Sequence, residues 1–347
     1  MQKKLIALAV ASLVSGGAFA QSSSVTIFGI IDVAIESGKY SDAAGNLTRM
    51  VSGANNTNRI GFRGTEDLGN GMNANFLLEA QPVPDNGTTA AATQFWNRSS
   101  TVGLSSKSWG SVNLGRQYTP WFNVTAANDV FWVAGAGSSY TLQAGDTRMN
   151  NSVRYDSVNM NGFTFAAMWG LGQDADGTGV EGTTAATKNL GREVGFNVRY
   201  ANGPLSLNLG WDDQRTAVGP DVNTKRTQLN GAYDFKVVKV GLGYNTNKNG
   251  GTLDDRVWTI TALMPVFGKD TIKAGYTRLN DKTASGKDAR LIAIGYEHPM
   301  SKRTNVYATY ALMNNDSGAS KGTLGAGVAV AAGFDPRVLQ MGIRHSF

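Results

Sequence analysis

The sequence predicts an all-β fold: a transmembrane antiparallel β-barrel of about 16 strands with an inward-folded third loop. Three observations predict it. Apolar and polar residues alternate with period two from Val25 to the C-terminus. The alternating segments run to about ten residues, the length a tilted strand needs to cross a bilayer, where soluble strands average about five or six. Their connections alternate between tight turns and long polar loops, as in barrels that cross an outer membrane.

Ahead of the first strand, Lys3 and Lys4, an apolar run over residues 5–14 and Ala18-Phe19-Ala20 form the pattern of a secretory signal peptide. Residues 1–20 are expected to be removed and residues 21–347 to form a single barrel domain. Loss of Lys3 and Lys4 lowers the formal charge from +6 to +4. The apolar run is shorter than the roughly 20 residues of a membrane helix, and no later stretch is long and apolar enough for one. Hydrocarbon admits only helices and closed sheets, so a membrane location demands closure. The absence of cysteine excludes a disulfide framework and thiolate metal sites. Aromatic and β-branched residues spread evenly along the chain exclude disorder.

The strands follow in order, with expected starts near Val25, Asn58, Gly71, Ser99, Gly110, Asn151, Gly162, Gly191, Gly203, Thr224, Lys236, Leu253, Asp270, Asp288, Lys302 and Arg337. In residues 25–36, Val25, Ile27, Ile31, Val33 and Ile35 oppose Thr26, Asp32 and Glu36. Met72, Ala74, Phe76 and Leu78 oppose Asn73, Asn75 and Glu79. The last strand sets Leu339, Met341, Ile343 and Phe347 against Gln340, Arg344 and Ser346. Aromatics including Trp169, Tyr200, Trp211, Tyr233, Tyr244, Tyr296 and Tyr310 recur toward the ends of apolar faces, as interfacial girdles require. Residues 201–203, 234–236 and 299–301 read as tight turns, and residues 173–190, 217–223 and 314–336 as long loops. At this strand number the lumen is too wide for side chains to fill and holds water.

The connection at residues 118–150 differs from the others. It mixes Trp121, Phe122, Val130, Phe131 and Trp132 with glycine, an odd content for an exposed loop. Folding into the lumen gives these residues an inner wall to pack on; packing outward on a neighbouring protomer is the alternative.

Four runs carry a family resemblance: SVTIFGIID from Ser24, GFRGTEDLG from Gly61, LGRQ from Leu114 and the terminal GIRHSF from Gly342. With these, the whole mature chain resembles the trimeric general porins of Gram-negative bacteria, in the beta-proteobacterial branch. The resemblance implies a homotrimer in the cell outer membrane, surrounded by lipopolysaccharide and other outer-membrane lipid. It implies passage of small hydrophilic solutes, and Phe347 as the terminal aromatic presented to the barrel-assembly machinery. The Pro-Glu-Phe-Gly-Gly-Asp stretch of enteric third loops is absent here.

Strand parity turns Arg59 and Arg63 to the face opposite Ile60 and Phe62. It likewise turns Arg154 away from Val153 and Tyr155, with Arg148 in the same parity upstream. Glu79 points inward with Asn73 and Asn75, and Asp129 and Asp146 from the third loop are expected to face the arginines. The resemblance implies that Arg59, Arg98 and Arg148 are constriction arginines of an anion-preferring channel and that Glu79 is an acid beside them. Arg98 shares the parity of lipid-facing Val102 and Leu104, so it needs a bulge or a place before its strand begins. Arg116 has the same parity problem and is expected at the protomer interface or strand rim.

Neither His298 nor His345 has a nucleophile or orienting partner at catalytic spacing, so no enzyme is expected. No phosphate-binding glycine loop, metal-ligand spacing or cofactor motif is present, and no nucleic-acid partner is expected. Asp174, Asp176 and Glu181 form a weak candidate for surface calcium. The expected function is a general diffusion channel with anion preference. A substrate-specific channel for phosphate or organic anions is the second reading, and a surface-recognition barrel the third. Small outward residues Gly29, Gly64 and Ala74 are expected to allow flat wall-to-wall trimer packing.

Overall fold

The computed structural model describes residues 24–41, 45–143, 145–172, 190–216, 223–323 and 328–347. The expected signal segment and the candidate calcium carboxylates Asp174, Asp176 and Glu181 lie outside the described residues.

Alternation sorts the side chains inside out relative to a soluble protein. Along β13 (Asn223–Asp234), Thr224, Arg226, Gln228, Asn230 and Ala232 are buried while Lys225, Thr227 and Leu229 are exposed. Gln228 is 1% and Leu229 56% exposed, so the polar face points into the barrel and the apolar face outward to lipid.

The ring runs β1 (Ser24–Lys39), β2 (Asn46–Ser52), β3 (Arg59–Gly69), β4 (Met72–Ala80), β7 (Ser99–Ser106), β8 (Gly110–Tyr118), β9 (Arg148–Asp156), β10 (Phe163–Gly170), β11 (Glu193–Asn202), β12 (Leu205–Arg215), β13, β14 (Lys239–Lys248), β15 (Asp254–Val266), β16 (Asp270–Asp281), β17 (Ala289–Pro299), β18 (Thr304–Asn315) and β19 (Arg337–Ser346). A small hairpin, β5 (Pro82–Val83) with β6 (Thr88–Thr89), stands in the second long loop. β2 and β3 are the upper and lower halves of one stave, both pairing with β1, so the 17 strands of the sheet make a closed antiparallel barrel of 16 staves. The break within that stave has no signature in the period-two pattern, and the sequence reading missed its upper half.

Closure joins the first strand to the last, from Ile30↔Ser346 to Lys39↔Arg337. Phe347 finishes the seam: its N–H donates to Gly29 O and Gly29 N–H donates to Phe347 O, both at 3.1 Å. Its ring lies over Gly29, where any β-carbon would collide with it. Gly64 is covered in the same way by the Phe76 ring. These two glycines therefore seat aromatic rings of their own chain and do not present the bare flat surface expected of them.

The third loop lies inside the barrel. Thr119 caps α1 (Pro120–Asn128), its hydroxyl accepting from Phe122 N–H at 3.1 Å, and Pro120 supplies a first helical residue with no N–H to satisfy. The helix docks on inward-facing amides and hydroxyls of the wall. Asn197 donates to Pro120 O (2.8 Å), Asn230 to Val124 O (2.8 Å) and Thr261 to Asn128 O (3.3 Å). Beyond it, Phe131 packs close to Gly275 and Gly295, and Ala136 N–H donates to Gln340 Oε1 at 2.9 Å. The loop thus crosses the lumen from the β8–β9 side and is fastened to the wall from β11 to β19.

Candidate pore constriction

The break between β2 and β3 builds one side of a chamber beneath the third loop. Residues 53–58 leave the ladder and wrap around Asp32 of β1. The Asp32 carboxylate accepts from the N–H groups of Asn55 (3.0 Å) and Asn56 (2.7 Å) and from the Tyr307 hydroxyl. Asp32 O accepts from Gly53 N–H at 2.8 Å, and Asp32 N–H donates to Asn58 Oδ1 at 2.6 Å. Directly below this bend, Arg59 Nη2 donates to Asn56 Oδ1 at 2.8 Å and Nε to Thr57 O at 3.3 Å. A buried acid on one strand thereby sets the pose of an arginine on the next stave.

Tyr118 organises the adjacent side. β8 carries a bulge between Gly115 and Gln117, where Gly115 adopts φ +121° with its backbone tight against Ser100 O. The extra residue turns Tyr118 inward although it shares the parity of lipid-facing Leu114. Arg98 stands one residue before β7 begins, which resolves its parity. It is 2% exposed, bonded through Nε to Glu79 Oε1 and through Nη2 to the Tyr118 hydroxyl. Arg148, the Cα partner of Tyr118, donates to the same hydroxyl at 2.7 Å and stacks its guanidinium 4.4 Å from the ring centroid. Its Nε is buried without a hydrogen-bond partner, a donor left free.

The third loop supplies the facing wall. Phe122 stacks on Tyr118 (centroids 5.2 Å, planes 11° apart), and Tyr140 meets Phe122 edge-on. At the tip, Trp132 and Val133 hold positive φ values of 60° and 53°, which side-chain-bearing residues adopt only at a cost of about 1–2 kcal/mol each. Gly135, at φ +64°, rests on Ala54 of the bend. Between these walls lies a cavity of about 590 Å³ lined, among the described residues, by three arginines (Arg59, Arg98 and Arg148) and no carboxylate. Glu79 stands behind Arg98 and offsets one of the three charges.

The other sequence-predicted site residues do not join this chamber. Arg63 lies farther down β3, exposed, its guanidinium 5.3 Å from the Phe28 ring centroid. Arg154 forks onto Asp156 of its own strand (Nε to Oδ2 2.9 Å, Nη2 to Oδ1 2.6 Å) and donates to Tyr118 O. Asp129 does not face the arginines: it is 5% exposed and ties the loop together, accepting from Ser138 (2.6 Å), Ser139 (3.1 Å) and Phe131 N–H (2.8 Å). Burial raises its carboxyl pKa, against the pull of these donors. Asp146 turns toward the opposite wall, where Gln214 donates to it beside Asp212 and Glu193. Arg116 donates to Asn97 O (2.7 Å) and Asn150 Oδ1 (2.6 Å) near the upper end of β8. Sequence reasoning missed Tyr118 and Asp32 as organisers. A glycine immediately before Arg116, with Arg116 and Tyr118 both in the lipid-facing parity, was the available sign of a bulge.

The sequence matches the Gram-negative porin family over residues 7–318. It is 37% identical to outer membrane porin protein 32 of Delftia acidovorans, with both chains covered in full. It is 31% identical to an outer membrane porin of Bordetella pertussis, covering 89% of this chain and 93% of that one. Its fold superposes on a solved anion-selective porin from Comamonas acidovorans with a TM-score of 0.81 at 33% identity, covering 94% of this chain and all of that one.

Proposed function

Because this chain belongs to the Gram-negative porin family, we propose that its chamber makes an outer-membrane diffusion channel for small hydrophilic solutes prefer anions. The observation that carries this is the lining itself: three guanidinium groups, one offset by Glu79, around a cavity without a lining carboxylate. Guanidinium stays ionised at any working pH, even when partly desolvated. Low-dielectric walls focus its field into the water of the throat, raising the local concentration of anions and lowering that of cations. Across a salt gradient in a planar bilayer, the dilute side should become negative at zero current. A positive dilute side would sink the proposal.

The second reading, a binding site for phosphate or organic anions, draws on the convergence of Arg98 and Arg148 at one hydroxyl, which sets two guanidinium groups side by side. Conductance that saturates with, or is blocked by, phosphate would favour it over general diffusion.

The chain is further proposed to work as a homotrimer, with Phe347 read by the barrel-assembly machinery before it closes the seam. OmpT of Vibrio cholerae, which shares the fold, has been solved in a trimer form. The expected mass in mild detergent is three times that of one chain, and a purely monomeric species would remove the trimer.

A further inference from the structure

The lipid-facing side of β16 and β17 carries a charged feature that the channel does not use. Outward positions on β16 run Ile272, Ala274, Tyr276 and then Arg278; on β17 they run Ile294, Ile292 and then Arg290. Arg278 and Arg290 are Cα partners directly across the ladder, flanked by Trp258 on β15 and Asn314 on β18. Both are exposed. Among the described residues, neither guanidinium has an ion-pair or hydrogen-bond partner.

Like charges directly opposed on one face of a ladder repel. Among the described residues, the acids bordering this face form no ion pair with either arginine. Asp288 accepts the Asp281 N–H at 2.7 Å, and Asp254 is taken by Arg256 (2.5 Å) and Lys248 (3.4 Å). Lys282, exposed at the top of the same stave, adds further positive charge.

Their height is informative. Trp258, level with Arg278, packs its ring 4.3 Å from that of Tyr244, in the aromatic girdle nearer the long loops. Below it, Ile260, Tyr276, Ile292 and Leu312 form one cross-strand row of the apolar band. The arginine pair therefore stands where lipid headgroups of the outer leaflet begin.

We propose that Arg278 and Arg290 dock a phosphate of the outer-leaflet glycolipid, lipopolysaccharide, whose acyl chains lie on the Ile260–Leu312 row. Cross-strand side chains start about 4.5–5.5 Å apart, close enough for two guanidinium forks to share one phosphate. The anion supplies the countercharge that the chain leaves out. The proposal rests on the outer-membrane location but not on anion selectivity.

The test uses the intact barrel in detergent with bisphosphorylated lipid A as probe, followed by native mass spectrometry or anisotropy of labelled lipid. Arg278→Gln with Arg290→Gln should weaken binding about thirtyfold in low salt. Arg278→Lys with Arg290→Lys keeps the charge, loses the fork, and should weaken it less. Dephosphorylated lipid A should bind the native barrel no better than the phosphorylated form binds the glutamine variant. Equal binding of lipid A by native and glutamine barrels, or equal binding of both lipids by the native barrel, overturns the proposal. The variants should keep the native zero-current potential, so loss of lipid binding and loss of channel selectivity are read separately.

Discussion

Replacing Arg59 and Arg148 together with glutamine is expected to abolish most of the anion preference and move the zero-current potential toward cations. These two arginines carry the charge that Glu79 does not offset, since Glu79 is bonded to Arg98. A unit charge at 4 Å from a passing ion contributes about 1 kcal/mol even at the dielectric constant of bulk water, roughly a fivefold bias in occupancy per arginine. The shift should be clearest in dilute salt, because screening confines each charge to about 8 Å at physiological ionic strength. Arg59→Lys with Arg148→Lys should retain the preference. Arg154→Gln combined with Asp156→Asn should change it little, because the two charges already cancel in their fork. An unchanged potential in the double glutamine variant, measured below about 0.1 M salt, would show that charges elsewhere in the lumen govern selectivity.

Gly135→Val is expected to enlarge the channel. Gly135 holds φ +64°, a region that a β-branched residue enters at a cost of at least about 1–2 kcal/mol. A β-carbon there would also collide with Ala54 O. The bend cannot readily yield, because Asp32 holds Asn55 and Asn56 by their N–H groups. The loop tip must lift away, releasing the strained Trp132 and Val133 and widening the gap opposite the arginines. Single-channel conductance and the size limit for neutral sugars should both rise, while the heat resistance of the barrel itself stays close to native. Native conductance in this variant would mean that the tip is not held against the bend.

Period-two alternation was enough to read the barrel, its strand count and the inward facing of Arg59, Arg63 and Arg154, because lipid on one side and water on the other constrain every second residue. It failed where the ladder is interrupted. Tyr118 carries lipid-facing parity until the bulge at Gly115 reverses it, and Arg98 escapes parity by preceding its strand. The upper half-strand β2 was invisible because residues 53–58 break the stave for a reason that lies on another strand, at Asp32. Within the third loop no period applies. The aromatic content announced that the loop is sheltered, but nothing in the spacing distinguished Asp129, sealed by two serines, from an acid facing the throat.

The seam between β1 and β19 bears on how the molecule comes into being and how it is lost. The pairing that completes the ring joins the first strand to the last, so the barrel cannot close before both have been made. Such distant pairing is slow to form, since the entropy of the closing loop must be overcome first. The same topology protects the finished ring. Prising it open anywhere exposes two rows of unpaired N–H and C=O groups to hydrocarbon, at several kcal/mol for each group left bare. Persistence in the membrane is therefore governed by the height of an opening barrier more than by the depth of the folded well.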